Sequence, residues 1–232
     1  MATEPRPGTI PAGRLITVTG IDGAGKSTLA TALVQRLNAA GEKTVLVGKH
    51  TTGVPVDPAL SAYVDGLNAL VYRRDAEVAQ QCGDHYWLLA LAAWYTLQDR
   101  LIVRPALESG THVVLDNAHH KILARYAVNP GVPTDLAEQV FAHLTIPDLV
   151  LFLRIDAAEA LRRKGGFTSL EAGHSGAAGA DFVRYQDTVT DQLSHRTDPG
   201  GWVWIDVAGK DRGQVLDDAA EILWNRFALS TI

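Results

Sequence analysis

Gly20-Ile21-Asp22-Gly23-Ala24-Gly25-Lys26-Ser27 places two glycines, a lysine and a hydroxyl residue in the spacing G-x-x-x-x-G-K-[ST]. Glycines reach backbone angles closed to other residues, so successive N–H groups of such a loop can converge on phosphate oxygens at a helix N-terminus, where the dipole favours an anion. A lysine at position 26 can bridge β- and γ-phosphates as a point charge, and the Ser27 hydroxyl can ligate Mg²⁺. The predicted cradle is Gly20, Gly23, Ala24, Gly25, Lys26, Ser27 and Thr28. These residues make the chain a user of a nucleoside triphosphate, with ATP and Mg²⁺ as its expected cofactors.

The flanking segments supply the scaffold that such a loop needs. Leu15 to Thr19 is a β-branched run that reads as a buried strand, and apolar residues recur at helical spacing from Ser27 to Leu37. Further strands are predicted at Thr44 to Val47, Thr111 to Leu115, Asp148 to Ile155 and Val203 to Ile205. Helices are expected over 27–37, 59–71, 84–107, 118–127, 135–143, 157–164, 182–193 and 211–227, with Pro105 kinking the end of the long one. That long helix reads as buried nearly all round. Strands alternating with helices call for a five-stranded parallel sheet covered on both faces, a three-layer P-loop sandwich with its ligand at the carboxyl ends of the strands.

With 232 residues, 47% of them hydrophobic, the chain can bury a full core as one domain over 14–232, preceded by a short disordered leader over 1–13. A formal charge of -5 without blocks of like charge argues against nucleic acid or an anionic membrane as the main partner. The N-terminus has no apolar signal segment, and Leu88 to Leu97 is about half a membrane span, so a cytoplasmic protein is expected. The single cysteine, Cys82, excludes an internal disulfide and reads as a buried filler. Gly165 to Gly179 holds five glycines in fifteen residues and reads as part of a mobile lid, about 164–180.

From about Leu15 to Leu229 the chain resembles the thymidylate kinase family of P-loop nucleoside monophosphate kinases. The likeness is carried by GIDGAGKST at 20–28, by Gly53-Val54-Pro55, by PALESGTHVVLD at 105–116 and by DLVLFLRIDAAEALRR at 148–163. It implies γ-phosphoryl transfer from ATP to a nucleoside monophosphate, dTMP being the best single acceptor. Asp22 would face the acceptor sugar and orient it, while Asp116, at a strand end, would hold Mg²⁺ or its water opposite Ser27; an aspartate there can also simply cap the following helix. Arg162 and Arg163 lead into the lid and are candidates to stabilise the moving phosphoryl group, though bases at a helix end also complement its dipole. The resemblance also implies a homodimer built from helices.

The acceptor side departs from that pattern. Asn117 stands where the family has an arginine that grips the acceptor phosphate, and Lys49-His50-Thr51 replaces Arg-Glu-Pro. Tyr95 and Leu97 occupy positions of a base-reading arginine and glutamine, and Arg125-Tyr126 replaces Tyr-Gln. The candidate acceptor contacts are thus Lys49, His50, Tyr95, Asn117 and Arg125, with Lys121 as a further cation that could equally be a solvated surface charge. Trp87 and Trp94 read as core, and His119-His120 as a bland pair. Two other readings stay open: a kinase for an unphosphorylated nucleoside or small hydroxylated metabolite, with His50 or Asp22 as general base, and an ATP-binding switch without transfer.

Overall fold

A computed structural model describes residues 13–51, 58–73, 76–116, 118–129, 131–173, 178–196 and 201–228, with side chains left aside at 76–80 and 170. Residues 1–12 of the expected leader, 52–57 of the loop after the second strand, Asn117, and 174–177 of the expected lid lie outside the described residues.

Five strands, β1 (Leu15–Gly20), β2 (Thr44–Val47), β3 (His112–Asp116), β4 (Leu149–Arg154) and β5 (Trp202–Asp206), form one parallel sheet in the order β2-β3-β1-β4-β5. β1 is central, pairing with β3 on one side (Val18 opposite Asp116) and β4 on the other (Thr19 opposite Phe152). Each of its six residues is buried, which is why it reads as an unbroken apolar and β-branched run.

The helices are α1 (Lys26–Ala39), α2 (Pro58–Tyr72), α3 (Ala76–Gln98), α4 (Arg104–Glu108), α5 (His119–Ala127), α6 (Thr134–Phe141), α7 (Ala157–Lys164), α8 (Gly179–Ser194) and α9 (Arg212–Phe227). Alternate residues of β1 meet different partners. Ile16 and Val18 pack in a core with Leu29 and Leu33 of α1 and Leu223 of α9, whereas Leu15 joins Val47, Val103 and Val113. A third cluster, holding Trp94, Tyr95, Ile122, Tyr126 and Phe141, joins α3, α5 and α6. Caps follow the sequence: Asp156 accepts from the N–H groups of Ala158 and Glu159 at the start of α7, and Asp211 and Gln214 form a capping box on α9.

The long helix differs from its sequence reading in three ways. Gly83 breaks it at φ 75°, so the helix expected from 84 is the second of two stretches. Ahead of Pro105 lies a π-helical turn, Asp99–Val103, closed by Arg104 N–H donating to Asp99 O. Pro105 has no N–H to offer and its ring crowds the carbonyl four residues back, so the irregularity falls before the proline rather than after it. Finally, the helix is not buried all round. Trp87, Leu88, Trp94 and Tyr95 point inward, but Tyr86 and Leu89 are 41% and 54% exposed. Cys82, just before the Gly83 break, is exposed, correcting its reading as a buried filler.

Candidate active site

The loop after β1 has the geometry of an anion cradle. Gly23 and Gly25 adopt φ 89° and 94°, angles that side chains other than glycine's rarely allow. Gly23 is also pressed against α7: a Cβ there would meet the Ala160 carbonyl oxygen at 2.5 Å. α1 begins directly at Lys26 with no side chain capping its N-terminus and no acid in its first turn. Its uncompensated N-terminal N–H groups and dipole therefore face an incoming anion. Ser27 and Thr28 are exposed on that first turn, and Ala24 is buried beneath the loop.

Lys26 is 9% exposed and donates from Nζ to the carbonyl oxygen of Ile21 at 2.7 Å. Burial lowers its pKa, and the Asp22 and Asp116 carboxylates pull it back up. Asp116 ends β3, the strand beside β1, so sheet order brings it next to the phosphate loop. Its Oδ1 is buried and has no hydrogen-bond partner among the described residues. A buried carboxylate oxygen left unpaired at the end of the strand next to β1, with a serine hydroxyl exposed at the start of α1, suits a hard divalent cation or its water shell. Ser27 and Asp116 thus fit Mg²⁺ as donors.

Asp22 does not stand free in the loop. Its Oδ1 accepts from Lys121 Nζ in a close ion pair and lies 4.0 Å from Lys26 Nζ. Its Oδ2 accepts from Arg125 Nη2 at 2.9 Å. Burial raises the carboxyl pKa, but Lys121, Lys26 and Arg125 outweigh it and hold Asp22 far below the usual carboxylate range. Lys121 itself is 3% exposed, and burial next to Lys26 and Arg125 pushes its pKa well down despite the partner carboxylate. Gln186, on α8 and fully buried, completes the group: Oε1 accepts from the Asp22 backbone N–H at 3.2 Å, and Nε2 donates to Glu171 O at 2.7 Å.

The other expected residues are more scattered. Tyr95 is buried in the α3 core, edge-on to Phe141 and His119, and burial raises its hydroxyl pKa well above normal. His50 is exposed, edge-on to Tyr72 at 5.5 Å, and the Lys49 carbonyl accepts from Asn68 Nδ2 at 2.6 Å. Arg163 turns from the loop to Glu159 (2.8 Å) and Val207 O (3.1 Å), and Arg162 pairs with the same Glu159 from an exposed position. The structure therefore brings together Asp22, Lys26, Asp116, Lys121 and Arg125 and pairs Arg162 and Arg163 with Glu159 instead. Among the residues gathered at the site, the sequence reading gave Lys121 no firm role and did not single out Gln186. Lys121 and Arg125 are four apart on the helix that follows the Asp116 strand, a spacing that puts both cations on one face and could have flagged them.

Comparison with known proteins bears on the family and the fold. The family model for thymidylate kinase matches residues 18–173. The thymidylate kinase of Gluconobacter oxydans is 34% identical over 192 residues, covering 76% of this chain and 84% of its own. Human thymidylate kinase is 29% identical over 153 residues, covering 65% of each. The thymidylate kinase of Xanthomonas oryzae is 33% identical over 153 residues, 66% of this chain, and the match spans only 61% of that relative's length. Among solved structures, a Candida albicans thymidylate kinase, described as revealing the origin of broad substrate specificity, superposes with a TM-score of 0.62 over 92% of both chains. At 21% identity that likeness speaks for the fold.

Proposed function

The chain belongs to the thymidylate kinase family, and on that premise we propose that it transfers the γ-phosphoryl group of ATP to a nucleoside monophosphate, with dTMP the first acceptor to test. The observation that carries this reading is the uncapped, left-handed glycine loop with Lys26 beside the unpaired carboxylate oxygen of Asp116.

In this reading the backbone N–H groups from Gly20 to Thr28 hold the ATP phosphates, and Lys26 exchanges its Ile21 carbonyl for phosphate oxygens. Ser27 and Asp116 hold Mg²⁺, which neutralises charge on the phosphates when bound. Catalysis is positioning and electrostatics without a covalent intermediate. Lys26 and α1 orient the donor, Asp22 and its cations define the acceptor side, and the lid segment excludes water. Arg162 and Arg163 would act on the phosphoryl group only after leaving Glu159, so closing the lid is part of the proposal. Lys49, His50, Tyr95, Asn117 and Arg125 are the proposed acceptor contacts.

Among the described residues no helix is long and apolar enough to cross a membrane, and we assign the reaction to the cytoplasm with its ATP. A homodimer belongs to the same proposal, with exposed Tyr63 and Leu70 on α2 and Tyr86 and Leu89 on α3 as its apolar face. Coupled ADP release with Mg-ATP across nucleosides and nucleoside monophosphates, with Lys26→Ala as the blank, tests the function. Release with monophosphates supports it, and Lys26-dependent release with unphosphorylated compounds alone contradicts it.

A further inference from the structure

Each oxygen of Asp22 already accepts from a cationic donor. Oδ1 accepts from Lys121 and Oδ2 from Arg125, with Gln186 Nε2 also 3.4 Å from Oδ2. The free donor capacity in this corner lies on the cations. Lys121 Nζ has three N–H bonds and its side chain is 4% exposed, so water can satisfy few of them. Arg125 Nε is buried with no hydrogen-bond partner among the described residues. Together with Lys26, three cationic side chains surround one carboxylate. When Lys26 turns to a donor phosphate, Lys121 and Arg125 still outnumber Asp22 by one charge. A buried surplus cation with an unfilled donor is costly unless an anion meets it.

We propose that Lys121 and Arg125 form the anion subsite of the acceptor, so that the acceptor meets this corner through a phosphate and not through a sugar hydroxyl donating to Asp22. The inference rests on the proposed phosphotransferase reading and names how its acceptor is recognised. It also accounts for Asn117 in place of a phosphate-gripping arginine: the grip has moved to positions 121 and 125, four and eight residues further along the chain. The expected acceptor is a nucleoside monophosphate whose sugar hydroxyl contributes little to binding.

Calorimetric titration needs no turnover and reads the subsite separately from the reaction. dTMP and its 3′-deoxy analogue should bind the wild type within about threefold of each other, and thymidine should bind at least tenfold more weakly than dTMP. Removing one charge-assisted contact should weaken dTMP roughly 10- to 100-fold in Arg125→Gln and Lys121→Met, with ATP affinity changed far less. Arg125→Lys, which keeps the charge, should recover part of the loss, and the two Arg125 variants carry the test by themselves where Lys121→Met fails to fold. A 3′-deoxy analogue bound tenfold more weakly than dTMP, or dTMP affinity unchanged in Arg125→Gln, overturns the subsite. So does a wild type that binds no monophosphate. Binding of dTMP with these losses but without ADP release upholds the subsite and overturns the proposed function.

Discussion

Gln186 and Asp22, 164 residues apart, exchange hydrogen bonds in both directions: the Asp22 N–H donates to Gln186 Oε1 at 3.2 Å, and Gln186 Nε2 approaches Asp22 Oδ2 at 3.4 Å. The same amide nitrogen donates to Glu171 O at 2.7 Å, so one buried side chain ties the phosphate loop to the segment proposed as a lid. Gln186→Leu leaves both the loop N–H and the Glu171 carbonyl without a partner, at about 1–3 kcal/mol of stability. The expected result is a lower urea midpoint with the m-value unchanged. An unchanged midpoint would show that the strap is not structural.

Asp116→Asn keeps the shape of the side chain and removes its charge. If Asp116 and Ser27 hold Mg²⁺, the Mg²⁺ concentration giving half-maximal ADP release rises at least tenfold in this variant, while unfolding in Mg²⁺-free buffer changes little. A Mg²⁺ titration identical to the wild type's would assign Asp116 to capping α5 instead.

Gly23→Ala should disable the cradle. Its φ of 89° and the 2.5 Å approach of a Cβ to the Ala160 carbonyl force the loop to shift, at about 1–3 kcal/mol. Nucleotide affinity should fall more than tenfold by equilibrium titration. Gly66→Ala on α2 is the control, since a Cβ there meets nothing within 4 Å and alanine favours the helix by about 0.5–1 kcal/mol.

His119 makes acid unfolding of this chain pH-dependent in a defined direction. Burial, with Arg196 nearby, lowers its pKa from 6.5 to about 4, and its ring stacks on Phe141 at 5.5 Å. Between those values the unfolded chain binds a proton that the native one refuses, so stability rises with pH across about 4 to 6.5 and is lost as pH falls. The group contributes about 3 kcal/mol over that window. His120, its pKa also lowered by burial, acts in the same sense. Asp22 adds nothing here, because its folded pKa is depressed and its contribution fades only below the unfolded value of 3.8. Melting temperatures of wild type and His119→Asn between pH 4 and 7 check this, the variant showing the shallower slope.

The parts of this site that were legible in sequence are local in the chain. The loop from Gly20 to Thr28 carries its chemistry in nine consecutive residues, and its strand and helix flanks follow from burial of neighbours. Asp116 drew notice as an acid at the end of an apolar strand, a place that also suits a cap on the following helix. The Lys121 to Asp22 pair was not legible, since its members are 99 residues apart and meet only because β3 lies beside β1 and feeds α5 across the loop. Gln186 gave no signal at all: a glutamine on an amphipathic helix looks solvated until tertiary packing buries it. Cys82 misled because a lone cysteine without a reactive partner reads as core, whereas its polar neighbours Gln81 and Asp84 leave it exposed.

The most direct measurement of the central claim is transfer of labelled phosphate from γ-labelled ATP with Mg²⁺ to dTMP, with the products separated and identified. The account predicts labelled dTDP formed in step with ADP by the wild type, and a loss of at least a hundredfold in Lys26→Ala. ADP formed with label in free phosphate or in an unphosphorylated acceptor, and none in dTDP or any other nucleoside diphosphate, would contradict it.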